Sequence, residues 1–299
     1  MFFACSLLRK IYCLIFPRNR SSRRPRRRFF SKKIMKPRII AIIQARMSSS
    51  RLPGKVLLDI NGEPMLAHVI ERAKRAQLVD EVVLATTTDS SDDPVAEFCA
   101  ERGYNFTRGS LHDVLDRYYQ AAKEYDADII VRLTADCPVL DAKVVDQTIQ
   151  ELGIREQETF DFIANRLPPP MGRSFPIGLD TEVCTFAALS NAWKNATEKH
   201  QREHVMPYLY ENTVLDTENR LLHTGISPRS FKIALLNHIP DYGDLRWTVD
   251  TPEDLEFIRQ IFARFDYDGF GWKDILSLLE KEPELAKINE NIHHKTLME

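Results

Sequence analysis

The 299-residue sequence is short of the features that mark several broad protein classes. Its five cysteines (Cys5, Cys13, Cys99, Cys137 and Cys184) are odd in number and never spaced CxxC. That argues against a disulfide scaffold or a zinc ribbon and for a reducing, intracellular setting. There are 11 glycines and no GxGxxG run, so the common dinucleotide-binding fingerprint is missing. No apolar stretch approaches the ~18–20 residues of a membrane-spanning helix. Collagen and coiled-coil biases are also absent. What remains, 43% hydrophobic and 28% charged, is too apolar for a disordered chain and long enough to bury a core.

Acidic residues are missing from residues 1–35, which carry 11 Lys and Arg. Residues 36–299 hold the other 30 basic residues and all 43 acidic ones, a net of −13. A body this acidic is a poor nucleic-acid binder by bulk electrostatics, so phosphate chemistry must use local basic clusters. The N-terminal segment has two short apolar runs, 2–8 and 11–16, split by Arg9 and Lys10. A block of Arg23, Arg24, Arg26, Arg27 and Arg28 follows. That order is wrong for a secretory peptide and fits an organellar transit peptide or a basic arm on anionic lipid. The plainer reading is an extension ahead of a start at Met35-Lys36, with a cytoplasmic protein behind it.

From Arg38 onward, strand and helix patterns alternate. Residues 39–43, 81–86 and 128–133 are nearly continuous Ile, Val and Leu, as in strands buried on both faces. Residues 65–77, 93–102 and 113–124 show helical spacing, with Pro64 and Pro94 where a first turn tolerates them. This alternation predicts an α/β fold with a mostly parallel sheet and ligands at the carboxyl ends of the strands. The stretch 155–245 is less regular: a strand is expected at 179–186, helix near 187–210 and another strand near 231–236. It reads as an insertion supplying substrate contacts and a dimer surface within a domain spanning 36–285. Helices resume at Pro252 and near 272–279, and 286–299 reads as a polar tail.

Three segments carry chemistry. The first, Gln44-Ala45-Arg46-Met47-Ser48-Ser49-Ser50-Arg51-Leu52-Pro53-Gly54-Lys55, is a small, polar, basic loop directly after a buried strand. Its backbone N–H groups with Arg46, Arg51 and Lys55 suit a polyphosphate, although a solvated basic loop would look the same. It is not a Walker A loop, since Val56 follows Lys55. Lys55, as a loop lysine, is expected to make few packing contacts. The second is Arg132-Leu133-Thr134-Ala135-Asp136-Cys137-Pro138, and the third Arg246-Trp247-Thr248-Val249-Asp250-Thr251-Pro252. Asp136 and Asp250 each end a short apolar run where a strand should stop, and each also fits a helix N-cap. Facing a phosphate loop, the pair would make a Mg²⁺ site, because Mg²⁺ takes one or two carboxylates plus phosphate oxygens.

Residues 44–55, the following DINGEPMLAHVIERA stretch, ATTTDSSDD, RGSLHDVLDRYYQAA, RLTADCP and WTVDTPEDLEFI together resemble the cytidylyltransferases that activate acidic sugars. The nearest branch is that of spore-coat polysaccharide biosynthesis, related to acylneuraminate and 3-deoxy-manno-octulosonate cytidylyltransferases. The resemblance runs from about 38 to 265 and is weaker in the middle. It implies a Rossmann-like nucleotidyltransferase sandwich of the glycosyltransferase-A type with a mixed, mostly parallel sheet. The implied reaction is transfer of CMP from CTP to a small acidic sugar or phosphorylated acceptor, with loss of pyrophosphate, in surface polysaccharide biosynthesis. By the same resemblance Arg46 and Lys55 hold the triphosphate and Gly54 lets the backbone approach it. Gln44, Ala45, Ser50 and Arg51 complete that loop. Asp113, Leu115 and Arg117 fall where base and ribose are read, and Asp136 and Asp250 bind Mg²⁺. Asp180, Glu182, Arg202, Glu203 and His204 lie on the acceptor side, and a homodimer is a further expectation.

Two competing readings stay open on the residues alone. His200-Gln201-Arg202-Glu203-His204 matches H-x-x-E-H, a zinc metallopeptidase pattern in which two histidines share a helix face. A nucleotidyltransferase fold serving only as a binding module would leave Arg46, Lys55, Asp136 and Asp250 dispensable. Cys137 beside Asp136 reads as a small buried thiol rather than a nucleophile.

Overall fold

A strand of nearly unbroken Ile, Val and Leu is stable only where both of its faces are covered, and the sheet meets that condition. The computed structural model describes residues 36–153 and 159–292, so the basic extension lies outside the described residues. Among the described residues ten strands form: β1 (Ile39–Gln44), β2 (Asp59–Ile60), β3 (Glu63–Pro64), β4 (Glu81–Thr87), β5 (Phe106–Gly109), β6 (Ile129–Thr134), β7 (Phe162–Ala164), β8 (Glu182–Thr185), β9 (Leu222–Ile226) and β10 (Lys232–Leu236). The helices are α1 (Met65–Ala73), α2 (Asp93–Arg102), α3 (Val114–Glu124), α4 (Ala142–Glu151), α5 (Phe186–Asn195), α6 (Lys199–His204), α7 (Pro207–Tyr210), α8 (Pro252–Phe262) and α9 (Trp272–Lys281).

Eight strands make one sheet in the order β5-β4-β1-β6-β8-β7-β10-β9, while β2 and β3 pair separately. The β5-β4-β1-β6 half is wholly parallel. β8 then runs antiparallel to β6 and β7, β7 and β10 are parallel, and β9 closes the edge antiparallel to β10. The stretch expected as an insertion therefore supplies four strands of the same sheet.

Alternate residues of β1 enter opposite cores, as strand geometry requires. Ile39, Ala41 and Ile43 pack with α1, α4, α8 and α9, while Ile40 and Ile42 pack with α3, α5 and α7. Both cores are built from buried aliphatic and aromatic side chains, a fully buried Val, Leu, Ile or Phe being worth roughly 1.5–3 kcal/mol of transfer free energy.

Several expected bounds differ for local reasons. α1 stops at Ala73, after which the Gln77 and Leu78 N–H groups donate to Asp146. The helical stretch 187–210 is three helices, interrupted by the extended Ala196 and by Val205 at φ +72°. The strand expected from 179 begins only at Glu182, because Gly178 (φ +111°) lies flat against the backbone of Trp247, where a Cβ would come within 2.7 Å. Nor is the polar tail shed at 285. Asn289 is buried and donates to Arg246 O and Asp254 Oδ1. Among the described residues no helix is long and apolar enough to cross a membrane.

Candidate active site

β1 ends at Gln44, and the loop after it is folded back on itself before a single 3₁₀ turn, Lys55–Leu57. Gly54 enters that turn at φ +71°, a conformation in which any side chain is strained. Its N–H donates to Met47 O (2.9 Å), and the Met47 N–H donates to Asp92 Oδ1 (2.6 Å). Asp92 is wholly buried and also accepts the Thr87 hydroxyl, so the β4–α2 connection anchors the loop. An Asp at the seventh position of the TTTDSSDD run was the only sequence signal for that anchor.

The folded loop turns Lys55 inward, against the expectation of a loop lysine with few contacts. Lys55 is 8% exposed, and its ammonium donates to Val249 O (2.7 Å), Asp250 Oδ1 (2.9 Å) and Asp136 Oδ2 (3.0 Å). All three donors are used. Burial alone would lower its pKa, but the two carboxylates outweigh burial and raise it. Desolvation likewise works to raise the Asp136 pKa, yet the Lys55 charge and the Thr134 hydroxyl bring it down to about 2.

Asp136 stands two residues beyond the end of β6, as the pattern suggests. Asp250 does not end a strand of the sheet. Its segment is extended and stapled to the end of β6: Val249 N–H and the Thr248 hydroxyl both donate to Asp136 O, at 2.8 and 3.1 Å. Trp247 N–H donates to Ile177 O (2.7 Å) on the other side. Asp250 is further held by Arg51 (2.9 Å) and Arg246 (3.0 Å), and Arg246 is itself fixed by the buried Asp254 of α8. The Arg246–Asp250–Asp254 spacing was the signal for this clamp, and Thr251 rather than Asp250 caps α8.

These groups open on a cavity of about 660 Å³. Gln44, Ala45, Arg46, Ser50, Arg51, Lys55, Arg117, Asp136, Asp250, Glu203 and His204 all line it, joined by Ser48, Ser49, Val114 and Thr134. Arg46 is exposed and makes no ion pair among the described residues. Arg117 is 3% exposed; one N–H reaches Ser110 O (3.3 Å) while its Nε has no partner. Burial lowers the pKa of this guanidinium. The oxygen donors Asp136, Asp250 and Val249 O, already gathered around one cation, are the hard donor set that Mg²⁺ accepts.

Other expected residues lie elsewhere. Leu115 is fully buried in the α3 core and does not line the cavity. Asp113 caps α3 and is taken up by Arg202 (3.1 Å), which also donates to Trp193 O (2.7 Å). Glu182 is buried against Arg132, whose other arm donates to Gln44 Oε1 (3.1 Å). Asp180 pairs with Arg173 at 2.8 Å. These three acids therefore meet arginines rather than the cavity. His200 pairs with Glu211 while His204 faces the cavity, so the two do not share a metal position. Among the described residues no group of three or more His, Cys, Asp or Glu is placed to hold a metal, and the zinc-peptidase pattern has no site.

At the end of α6 the His204 carbonyl accepts the Met206 N–H (2.9 Å) across Val205, at φ +72° and ψ −56°. This is the rare γ-turn with positive φ, strained for a β-branched residue by on the order of 1–3 kcal/mol. Val205 and Met206 are fully buried, which holds the turn closed. Cys137 is buried, and desolvation pushes its thiol pKa well up, which leaves it unreactive.

Residues 40–282 match the cytidylyltransferase family. Over 265 residues the chain is 37% identical to an uncharacterised protein of Methanocaldococcus jannaschii, covering 88% of this chain and 98% of that protein. Over 258 residues it is 29% identical to the spore coat polysaccharide biosynthesis protein SpsF of Bacillus subtilis, covering 84% and 98%. A solved cytidylyltransferase from Leptospira borgpetersenii superposes with a TM-score of 0.75 at 32% identity, over 87% of this chain and 100% of that one.

Proposed function

The chain belongs to the cytidylyltransferase family and has its Rossmann-like nucleotidyltransferase fold, and from that premise we propose that it moves CMP from CTP to a hydroxyl of a small sugar acid, releasing pyrophosphate, in surface polysaccharide biosynthesis. One observation carries the reading. Asp136 and Asp250 converge on a single cation, Lys55 Nζ, in a cavity where Arg46 and Arg117 make no ion pair with any described residue. Transfer at phosphorus asks chiefly for positioning and for positive groups where charge gathers on the leaving pyrophosphate. Arg46 and the serines of the loop would hold the triphosphate, with Lys55 joining them once it leaves its carboxylates. Arg117, with an unbonded Nε, would meet the nucleoside end. Asp136 and Asp250 would hold Mg²⁺, which when bound supplies neutralising charge to the phosphate oxygens. The sugar-acid acceptor is supported by the likeness of residues 44–55 to enzymes that activate acidic sugars, and polysaccharide biosynthesis by the name of the B. subtilis relative.

The test is pyrophosphate release from each of the four nucleoside triphosphates, with Mg²⁺, against a panel of acidic sugars and sugar phosphates. CTP with a sugar acid should turn over. A preference for another base would overturn the nucleotide assignment, and turnover with phosphorylated acceptors alone would overturn the acceptor.

A further inference from the structure

We propose that His204 takes the proton from the acceptor hydroxyl as that hydroxyl attacks the α-phosphorus of the nucleotide. The proposal rests on the nucleotidyl-transfer reading and assigns a catalytic residue within it. His204 lines the same cavity as Asp136, Asp250 and Lys55, but from α6 rather than from the phosphate loop. Its ring makes no hydrogen bond or ion pair with any described residue, whereas His200, Gln201 and Arg202 on the same helix are engaged. Gln201 and Glu198 close a capping box, Arg202 is tied to Asp113 and Trp193 O, and Gln201 donates to Glu211. The strained γ-turn at Val205 then ends the helix so that His204 is its last residue. Strain held by a buried Val-Met pair, next to a ring that bonds to no described residue, is the pattern of a side chain kept for a ligand.

The charges around the ring favour its neutral form. Burial comes first, then Arg132 of β6 and Arg166 beyond β7; these outweigh Glu203 on α6 and Glu182 of β8, and the pKa falls below the ordinary histidine value. A neutral imidazole carries a lone pair at physiological pH and can act as a base. The step balances. The hydroxyl oxygen forms the new bond to phosphorus, and the bond from phosphorus to the bridging oxygen breaks. Its electron pair leaves with pyrophosphate, and the hydroxyl proton passes to the imidazole and then to water.

The test compares His204→Gln with wild-type enzyme in full pH–rate profiles, alongside CTP binding by calorimetry. The variant should lose roughly 100-fold or more in kcat while its Kd for CTP stays within about twofold. Wild-type kcat/KM should rise with pH through one ionisation below the ordinary histidine value. That acid limb should vanish in His204→Gln and persist in Glu203→Gln. Added imidazole should partly restore a His204→Gly variant. A wild-type profile without the limb would overturn the proposal whatever the variants do. So would a His204→Gln enzyme that changes only the acceptor KM, which marks a binding contact. Failure of the wild type to release pyrophosphate from any nucleoside triphosphate would instead overturn the transferase reading, and His204 with it.

Discussion

On the β1 side of the cavity Arg46 is exposed without an ion pair among the described residues, and Arg117 is buried with an unbonded Nε. On the β8 side Arg132 is locked to Glu182, Arg173 to Asp180 and Arg202 to Asp113. Arginine is abundant in both regions, yet only one leaves positive charge unspent. A site that receives a polyanion gains less from cations already neutralised, because each internal pair must be broken before the ligand is held. A region that shapes a cavity wall needs the opposite, since a buried charge without a partner costs several kcal/mol. The difference separates arginines that bind from arginines that build, and substitutions on the two sides should separate accordingly.

The largest effect belongs to the carboxylate pair. Asp250→Asn should lower turnover by roughly a thousandfold, because the amide keeps shape and loses the charge that holds a cation. Wild-type kinetics from this variant would remove the pair from the mechanism. Next comes Lys55→Met, which leaves Asp136 and Asp250 facing each other with less positive charge. It should destabilise the metal-free protein by about 3 kcal/mol at neutral pH in denaturant melts, and Mg²⁺ should recover part of that loss. Glu182→Gln tests the building side. It should cost a similar ~3 kcal/mol by stranding the buried Arg132 while leaving the Kd for CTP within twofold. If CTP binding fell with stability, the two regions would not be separable. Arg46→Ala should do the reverse, weakening CTP binding roughly tenfold to a hundredfold while stability moves by less than about 0.5 kcal/mol. The smallest effect is expected for His200→Ala, whose exposed pair with Glu211 contributes about 0–1 kcal/mol and whose loss should leave activity unchanged.

Legibility in the sequence followed the range of the interactions. The parallel strands β4, β1 and β6, with their intervening helices, were readable because buried strands and amphipathic helices each leave a periodic trace within about a dozen residues, whereas the four-residue β5 was not. The stretch 155–245 was readable only in part: β8, β10 and the helices α5 to α7 fall where a strand, a strand and a helical stretch were expected, whereas β7 and β9 were not. β7 and β8 are three and four residues long, and their pairing with β6 and β10 leaves no local signature. Asp113 and Leu115 sit in a helix-start pattern that reads equally as cap and core, and the structure places them in those roles.

By itself the sequence determined the α/β alternation, the small basic loop after the first strand and the two Asp-bearing segments that follow apolar runs. These are local facts of side-chain size, charge and period. Only the tertiary structure decided that Lys55 is buried rather than solvated, since its partners Asp136 and Asp250 lie 81 and 195 residues away along the chain. It also decided which arginines remain free, and it brought His204 into the cavity while His200 went to Glu211. The physical reason is the same in each case. A charge's environment is set by whatever the folded backbone carries within a few ångströms of it, and the strength of that interaction depends on distance and burial, neither of which is a property of neighbouring positions in the chain.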